Sequence, residues 1–387
     1  MKPEWPVIIA ARRTAIGRQG GIHARRKLDA LTVPVVDAVL SDAGVAPESV
    51  DALILGNAAG GGGNPARLIA LAAGLPVSMP ALTVDTQCAS GLDAIVTGAR
   101  MIESGAAGIV LAGGAESPST APWRVERPEN PYRDLPHFFS QATFAPDADG
   151  NISMIEAAEN IARDHGISRE RQDGYALESH RKAVEAMESG ALGNEIVAIG
   201  MGESESRDEG PRASMSGALL ARMPSLTGEA GTVTAGNSCQ INDGAAVVLL
   251  VSQSKWREIG SPPGLAFIAA ASAGIEPRIL GLAAVPAARK LQDMTGCAAC
   301  DANAVELNEA FAAQAIATLE QLNISPERHN TLGGALAHGH PYGTSGAVLV
   351  TRLFTRLIRQ RGTIVDTGLA LIAGAGGVGT AAQFQRV

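Results

Sequence analysis

Short, nearly continuous apolar runs punctuate the chain. Residues 7–11, 52–56, 108–112, 245–251, 304–307 and 368–373 are β-branched or Leu-rich and are bounded by Gly, Asn or Asp. Runs of this kind predict strands buried on both faces. Between them, helical patterns of apolar and polar positions cover 28–43, 91–104, 155–165, 169–188, 278–294, 309–322 and 345–359. Strands alternating with helices predict an α/β fold.

The stretch from about 118 to 240 breaks the pattern. It holds Pro118, Pro122, Pro128, Pro131, Pro136 and Pro146, nearly half of the aromatic residues and dense charge. Its helix over 168–188 opens on a capping-box pattern at Ser168 with Arg171 and Gln172. A structureless loop of this length is improbable, so the stretch is read as a subdomain inserted over the core.

The two ends of the chain repeat each other. The strand VDALILGNA ends at Asn57, and Cys88, Ser90–Gly91, a helix and the strand GIVLAGG follow. Near the other end, ANAVELNEA ends at Asn308, and His340, Ser345–Gly346, a helix and the strand GLALIAG follow in the same order. A duplicated domain with pseudo-twofold symmetry is expected, its matching loops meeting at one site.

The composition narrows the function class. The chain has 387 residues, 46% hydrophobic and 18% charged, which excludes disorder. Aromatics are only 3%, so the core must be built from small aliphatic side chains. A net charge of −8 argues against a nucleic-acid groove. No apolar run approaches the ~18 residues of a membrane span. The apolar stretch near the start runs into Arg12 and Arg13 and reads as a strand, not a signal sequence. Four scattered cysteines suggest no disulfide framework, so a reduced, cytoplasmic protein is expected.

Cys88 lies in TVDTQCASGLDAIVTGAR, after a strand-like stretch at 82–84 and at the start of a helix. Unpaired N–H groups at a helix start lower a thiol pKa. The small residues Ala89, Ser90 and Gly91 would let a substrate carbonyl approach backbone donors. The alternative is a buried structural cysteine. His340, in LGGALAHGHPYGTSG, is expected on a tight, exposed backbone, from which it could take the proton of Cys88. His338, two residues away, raises a His-x-His metal site. No Cys, Asp or Glu accompanies it at ligand spacing, so no metal is expected. Asn308 could hold a water or carbonyl at a strand end, or cap a helix over 309–322. GAGGVG at 374–379 matches a dinucleotide fingerprint, but neither a helix nor an acidic residue follows it. The glycines at 60–63 lack the Lys-Ser/Thr of a phosphate loop. The pair Cys297 and Cys300 reads as a surface turn.

Taken together, these residues resemble the thiolase family over nearly the whole chain. RRTAIGRQGG, VDTQCASGLDAI, GGAESPS, GTVTAGN with INDGAA, ELNEAFA and GGALAHGHPYGTSG stand in family order. The resemblance implies a five-layered α-β-α-β-α fold. Its N-terminal half would span 1–117 plus 242–261, a CoA-binding loop domain 118–241, and the C-terminal half 262–387. It implies Cys88 as the acyl-accepting nucleophile, His340 as its activator, and Asn308 holding a water that joins His340 in one oxyanion hole. The N–H of Cys88 would help form a second. It places Cys239, Met154 and Gly339 at substrate-binding positions. It also implies a CoA thioester as substrate with no further cofactor, and a homodimer or homotetramer.

The chain departs from the family where GLALIAGAGGVG lacks a second cysteine. Ala373 occupies that position, and Ala375 stands where the family has Gly. Ser153 replaces a frequent His, and Cys239 a Ser. The leading expectation is acyl transfer through Cys88, in C–C bond formation or thiolysis, with a substitute base such as His338 or an already activated acceptor. The alternatives are a decarboxylative, ketoacyl-synthase-like condensation, a hydrolase, and a non-catalytic acyl-CoA-binding subunit.

Overall fold

The computed structural model describes residues 4–139, 141–146, 151–200, 203–360 and 366–387. The N-terminal half contains β1 (Val7–Thr14), β2 (Gly17–Arg18), α1 (Leu28–Ala43), β3 (Ala52–Gly56), α2 (Pro65–Ala72), β4 (Ala81–Val84), α3 (Ser90–Glu103) and β5 (Ile109–Glu116). The middle holds β6 (Val125–Glu126), β7 (His137–Phe138), α4 (Met154–Asp164), α5 (Arg169–Glu188), β8 (Ile196–Val197) and α6 (Gly217–Ala221). Then follow β9 (Asn242–Val251), α7 (Gln253–Glu258), β10 (Leu265–Gly274), α8 (Ala284–Thr295), β11 (Ala304–Leu307), α9 (Ala312–Gln321), α10 (Ala335–His338), α11 (Ser345–Phe354), β12 (Thr367–Gly374) and β13 (Val378–Arg386).

The strands run in the order β11-β12-β13-β10-β1-β9-β5-β3-β4. The duplication is written in this order. β1-β9-β5-β3 pair antiparallel, antiparallel, parallel, and β10-β13-β12-β11 repeat that sequence of pairings. The halves join where Val7 and Ile8 pair with Ala266 and Leu265.

Burial by alternate residues explains the layers. Ala246, Val248 and Leu250 of β9 face a central core with Leu92 and Ile95 of α3 and Val350 and Leu353 of α11. Val247, Leu249 and Val251 face the opposite way, toward Val35 and Val39 of α1 and Ile69 of α2. On the far sheet, Leu369 and Leu371 of β12 pack outward against Val285 and Leu291 of α8 and Leu319 of α9. Helices therefore lie outside both sheets and between them, giving the five layers of the thiolase fold.

Several boundaries differ from the sequence pattern. β10 and β13 have few β-branched residues, but their antiparallel pairing makes them strands. α2 is also additional, capped by Asn64 with Pro65 at its first position. Ser168 caps α5 by accepting from Arg171 N, whereas the reciprocal capping box is at Ser153 and Glu156 of α4. The GAGGVG segment is the β12–β13 hairpin turn, with Gly376 and Gly377 at φ 81°.

A buried ionic cluster ties the middle region to the core. Arg13 of β1, fully buried, pairs with Glu195 (2.8 Å) and Asp208 (2.6 Å). Glu195 also accepts from Arg352 (3.1 Å) and Thr355 (2.7 Å). Burial opposes the charge on Asp208, but Arg13 and His338 outweigh it and hold the carboxyl well below its usual range. Removing one charge strands the other. Asp208→Asn is therefore expected to destabilise the fold by about 3–5 kcal/mol, read from the urea unfolding midpoint.

Candidate active site

The Cys88 turn is built by a short extended lead and a helix start. β4 delivers the chain to Gln87, which adopts φ 56°, and α3 begins at Ser90. A non-glycine residue at positive φ costs of order 1–3 kcal/mol and is kept where the fold fixes it. Ser90 Oγ helps fix it by accepting from Thr86 N (2.9 Å) and donating to Gln87 O (2.5 Å).

His340 reaches the same point from the other half. Its N–H donates to Asn242 Oδ1 (2.9 Å), while Asn242 Nδ2 donates to Gly17 O (3.0 Å). Gly339 precedes it at φ 110°, where a Cβ would meet the Asn242 amide at 2.4 Å. That close approach requires glycine. The loop is buried, with His340 only 3% exposed, rather than exposed as its glycines suggested. The reason is that the 240–242 segment runs alongside it.

His340 Nε2 lies 3.1 Å from Cys88 Sγ, and His340 Nδ1 lies 2.6 Å from Ser345 Oγ. Burial lowers His340 to about 4 and raises Cys88 to about 12, overriding the helix-start effect on the thiol. A neutral pair follows: Sγ–H donates to Nε2, and Nδ1–H donates to Ser345. A backbone hydrogen bond from Ala375 opposes the burial of Cys88 by favouring its thiolate.

This electrostatic arrangement sets a pH profile. Because His340 is pushed down, it stays neutral as the pH falls through 6.5 and loses its base function only near 4. Because Cys88 is pushed up, no free thiolate builds up near pH 9. Acyl loading is thus expected to be flat from about pH 5 to pH 9, in single-turnover assays with pH-stable acyl-CoA. A limb at the ordinary histidine value would show that the pair is not held neutral.

A narrow cavity beside Cys88 is lined by Met154, Asn308, Phe311, Gln314 and Ala373, among others. Asn308 does not cap a helix. The chain is not helical from Asn308 to Phe311, which is extended and bridges Ser238, and α9 begins only at Ala312. Asn308 is 3% exposed, and its Nδ2 has no protein partner.

The other expected residues fall differently. His338 is unsuited to act as a substitute base: its Nδ1 faces Asp208 (2.8 Å) and its Nε2 faces Leu332 O (2.8 Å), so both nitrogens are committed away from the cavity. Gly339 lines a second crevice with His338 and Ser345 rather than the Cys88 cavity. Cys239 lies on the segment whose N–H bonds Ala310 O (2.9 Å). Its thiol is raised to about 12 by burial and by the nearby Cys88, but it does not line the cavity. Among the described residues, no cluster of three or more His, Cys, Asp or Glu has metal-binding geometry. Cys297 is exposed and Cys300 half-buried in the turn before β11.

Sequence reasoning assigned no role to Ser345, Asn242, Glu116, Gln314 or the Ala375 N–H. Ser345, Asn242 and Glu116 lie inside GGALAHGHPYGTSG, INDGAA and GGAESPS, but only the folded loops show what they hold.

Comparison with known proteins places the whole chain. Residues 6–254 match the family model described as thiolase, N-terminal domain, and residues 263–386 that of thiolase, C-terminal domain. A relative from Staphylococcus epidermidis (strain ATCC 12228), named "Putative acetyl-CoA C-acetyltransferase VraB", is 43% identical over 98% of both chains. A relative of the same name from Staphylococcus aureus (strain MRSA252) is 40% identical over 98% of this chain and 99% of its own. The crystal structure of the Bacillus anthracis acetyl-CoA acetyltransferase superimposes with a TM-score of 0.92 at 34% identity, covering all of both chains. With both family halves matched and relatives this similar along almost their full length, the chain belongs to the thiolase family.

Proposed function

We propose that this chain, a thiolase-like acyltransferase, carries the transferred acyl group on Cys88. The observation that carries the reading is the 3.1 Å contact between His340 Nε2 and Cys88 Sγ in a buried, uncharged setting. His340 takes the thiol proton as sulfur attacks the carbonyl carbon of a CoA thioester, then passes it to the departing CoA sulfur. The N–H groups of Cys88 and Ala375 are the donors for the developing oxyanion. Ser345 keeps the His340 tautomer that makes this transfer possible.

Asn308, with its unpartnered amide, serves the second substrate. Ala373 occupies the place of the family's second cysteine and brings no ionisable group there. The middle region, whose Met154 reaches the cavity, is the CoA-binding part. A homodimer or homotetramer is supported by the half-exposed Leu82 on edge strand β4 and by the exposed Trp123, Tyr132 and Leu135. The setting is acyl-CoA and lipid metabolism in the cytoplasm. No helix among the described residues is long and apolar enough to cross a membrane.

The test is intact mass spectrometry after incubation with acetyl-CoA and longer acyl-CoAs. One acyl mass on the peptide containing Cys88 is expected. Label on Cys239 or Cys297 instead would overturn the assignment.

A further inference from the structure

The two halves repeat one loop geometry around different fillings. β3 ends at Gly56, which pairs with Gly114, and Asn57 follows. β11 ends at Leu307, which pairs with Leu371, and Asn308 follows. Two residues beyond these partners stand Glu116 and Ala373 respectively. The facing loops repeat too. Gln87 (φ 56°) precedes Cys88 and Tyr342 (φ 25°) precedes Gly343, and a serine, Ser90 or Ser345, stands two residues further on.

On its side, Glu116 fills the space. Its fully buried carboxylate accepts from Asn57 Nδ2 (3.3 Å), from Ala58 N, from Ala59 N (3.2 Å) and from Gly343 N (3.2 Å). Across the pseudo-twofold, Ala373 supplies only a methyl group. Asn308 Nδ2 is left without a protein partner. Gln314, 1% exposed, spends its Oε1 on Ala310 N (3.2 Å), which leaves its Nε2 unpartnered as well. Both residues line the Cys88 cavity. A buried donor without an acceptor costs about 1–3 kcal/mol, so the cavity is built to receive oxygen atoms where its mirror image holds a carboxylate.

The same cavity lacks a base. Among the described residues that line it, Cys88 is the only ionisable side chain, and His340, which reaches the Cys88 sulfur, is not part of the lining. An acceptor whose carbon must be deprotonated is poorly served. An acceptor with a carboxylate on that carbon needs no base, because loss of CO₂ leaves the electron pair behind.

Resting on the acyl-Cys88 reading, we infer that the acceptor is a 2-carboxyacyl-CoA thioester of the malonyl class. Gln314 Nε2 positions its carboxylate, and Asn308 Nδ2 donates to the thioester oxygen on which enolate charge grows. The apolar walls, Ile161, Leu280 and Phe311, favour CO₂ over carboxylate. The C–CO₂ bond breaks, its electron pair becomes the enolate, and the enolate carbon bonds to the acyl carbon as the C–Sγ bond breaks. The Cys88 thiolate then takes one proton from solvent through His340. Products are 3-oxoacyl-CoA, CO₂ and free Cys88.

The experiment loads the full-length enzyme from acetyl-CoA, records the Cys88 adduct by mass, and then adds carboxyl-labelled malonyl-CoA or acetyl-CoA as acceptor. Labelled CO₂ and 3-oxoacyl-CoA should form from malonyl-CoA at least ~10²-fold faster than condensation with acetyl-CoA. Equal or faster condensation with acetyl-CoA, or an adduct inert to malonyl-CoA, overturns this inference while the acyl-Cys88 reading stands. Absence of the adduct overturns that reading and this one with it. Gln314→Glu keeps the acceptor toward Ala310 and puts an anionic oxygen in place of the donor. It should raise the KM for malonyl-CoA about tenfold or more, with thermal unfolding confirming the fold. An unchanged KM in a folded variant also overturns the assignment.

Discussion

Cys88→Ala is expected to lose the acyl adduct altogether and to slow turnover by about 10⁴–10⁶-fold, the range for removing a nucleophile that acts as a unit with its base. The physical reason is the neutral pair. His340 has no charge to offer the substrate directly, since burial lowers it to about 4. Its contribution is to take a proton from the one thiol it contacts, at 3.1 Å. Without the sulfur, His340 and the backbone donors can still polarise a thioester but have nothing to attach it to. The measurement is intact mass together with single-turnover release of CoA. Full loading of the variant would move the nucleophile to another thiol, and Cys239 is the first to examine because its own thiol senses Cys88.

Ala373→Cys should raise thiolysis of 3-oxoacyl-CoA and condensation with acetyl-CoA by about 10²–10⁴-fold, the usual worth of a positioned general base. Ala373, one residue before the end of β12, pairs with Gly379 and lines the cavity that holds Cys88 and Asn308. A thiol placed there meets the carbon from which a proton must leave, and the added sulfur is small enough to keep overpacking modest. Initial rates of acetoacetyl-CoA cleavage in wild type and variant decide the matter. A wild-type rate equal to the variant's would mean that another group already removes the proton. His338 is not that group, because Asp208 and Leu332 occupy both its nitrogens.

The apolar runs located six of the strands that build the two sheets, because strands buried on both faces write themselves as continuous aliphatic stretches. β10 and β13 were not legible. LAFIAAASAG and VGTAAQFQR are dominated by small residues whose strand character comes from their partners. Helix boundaries failed where tertiary contacts compete. ELNEAFA reads as helical from 309, yet Phe311 is held extended by its bridge to Ser238 and the helix starts only at Ala312, which leaves Asn308 at the cavity instead of at a cap.

The sequence by itself determined the duplication, the Cys88 turn, the histidine loop and the absence of a thiol at position 373, because each is local chemistry at a fixed spacing. Only the tertiary structure decided the protonation of the site. A helix start predicts an acidic thiol, but burial beneath the opposite half makes Cys88 and His340 a neutral pair. Only the tertiary structure committed His338 to the Arg13–Asp208 cluster, since Asp208 is 130 residues away in the chain. It alone showed that Asn308 and Gln314 both present unpartnered donors where Glu116 plugs the mirror site. Hydrogen-bond satisfaction and desolvation depend on which segments meet in space, and spacing along the chain does not encode them.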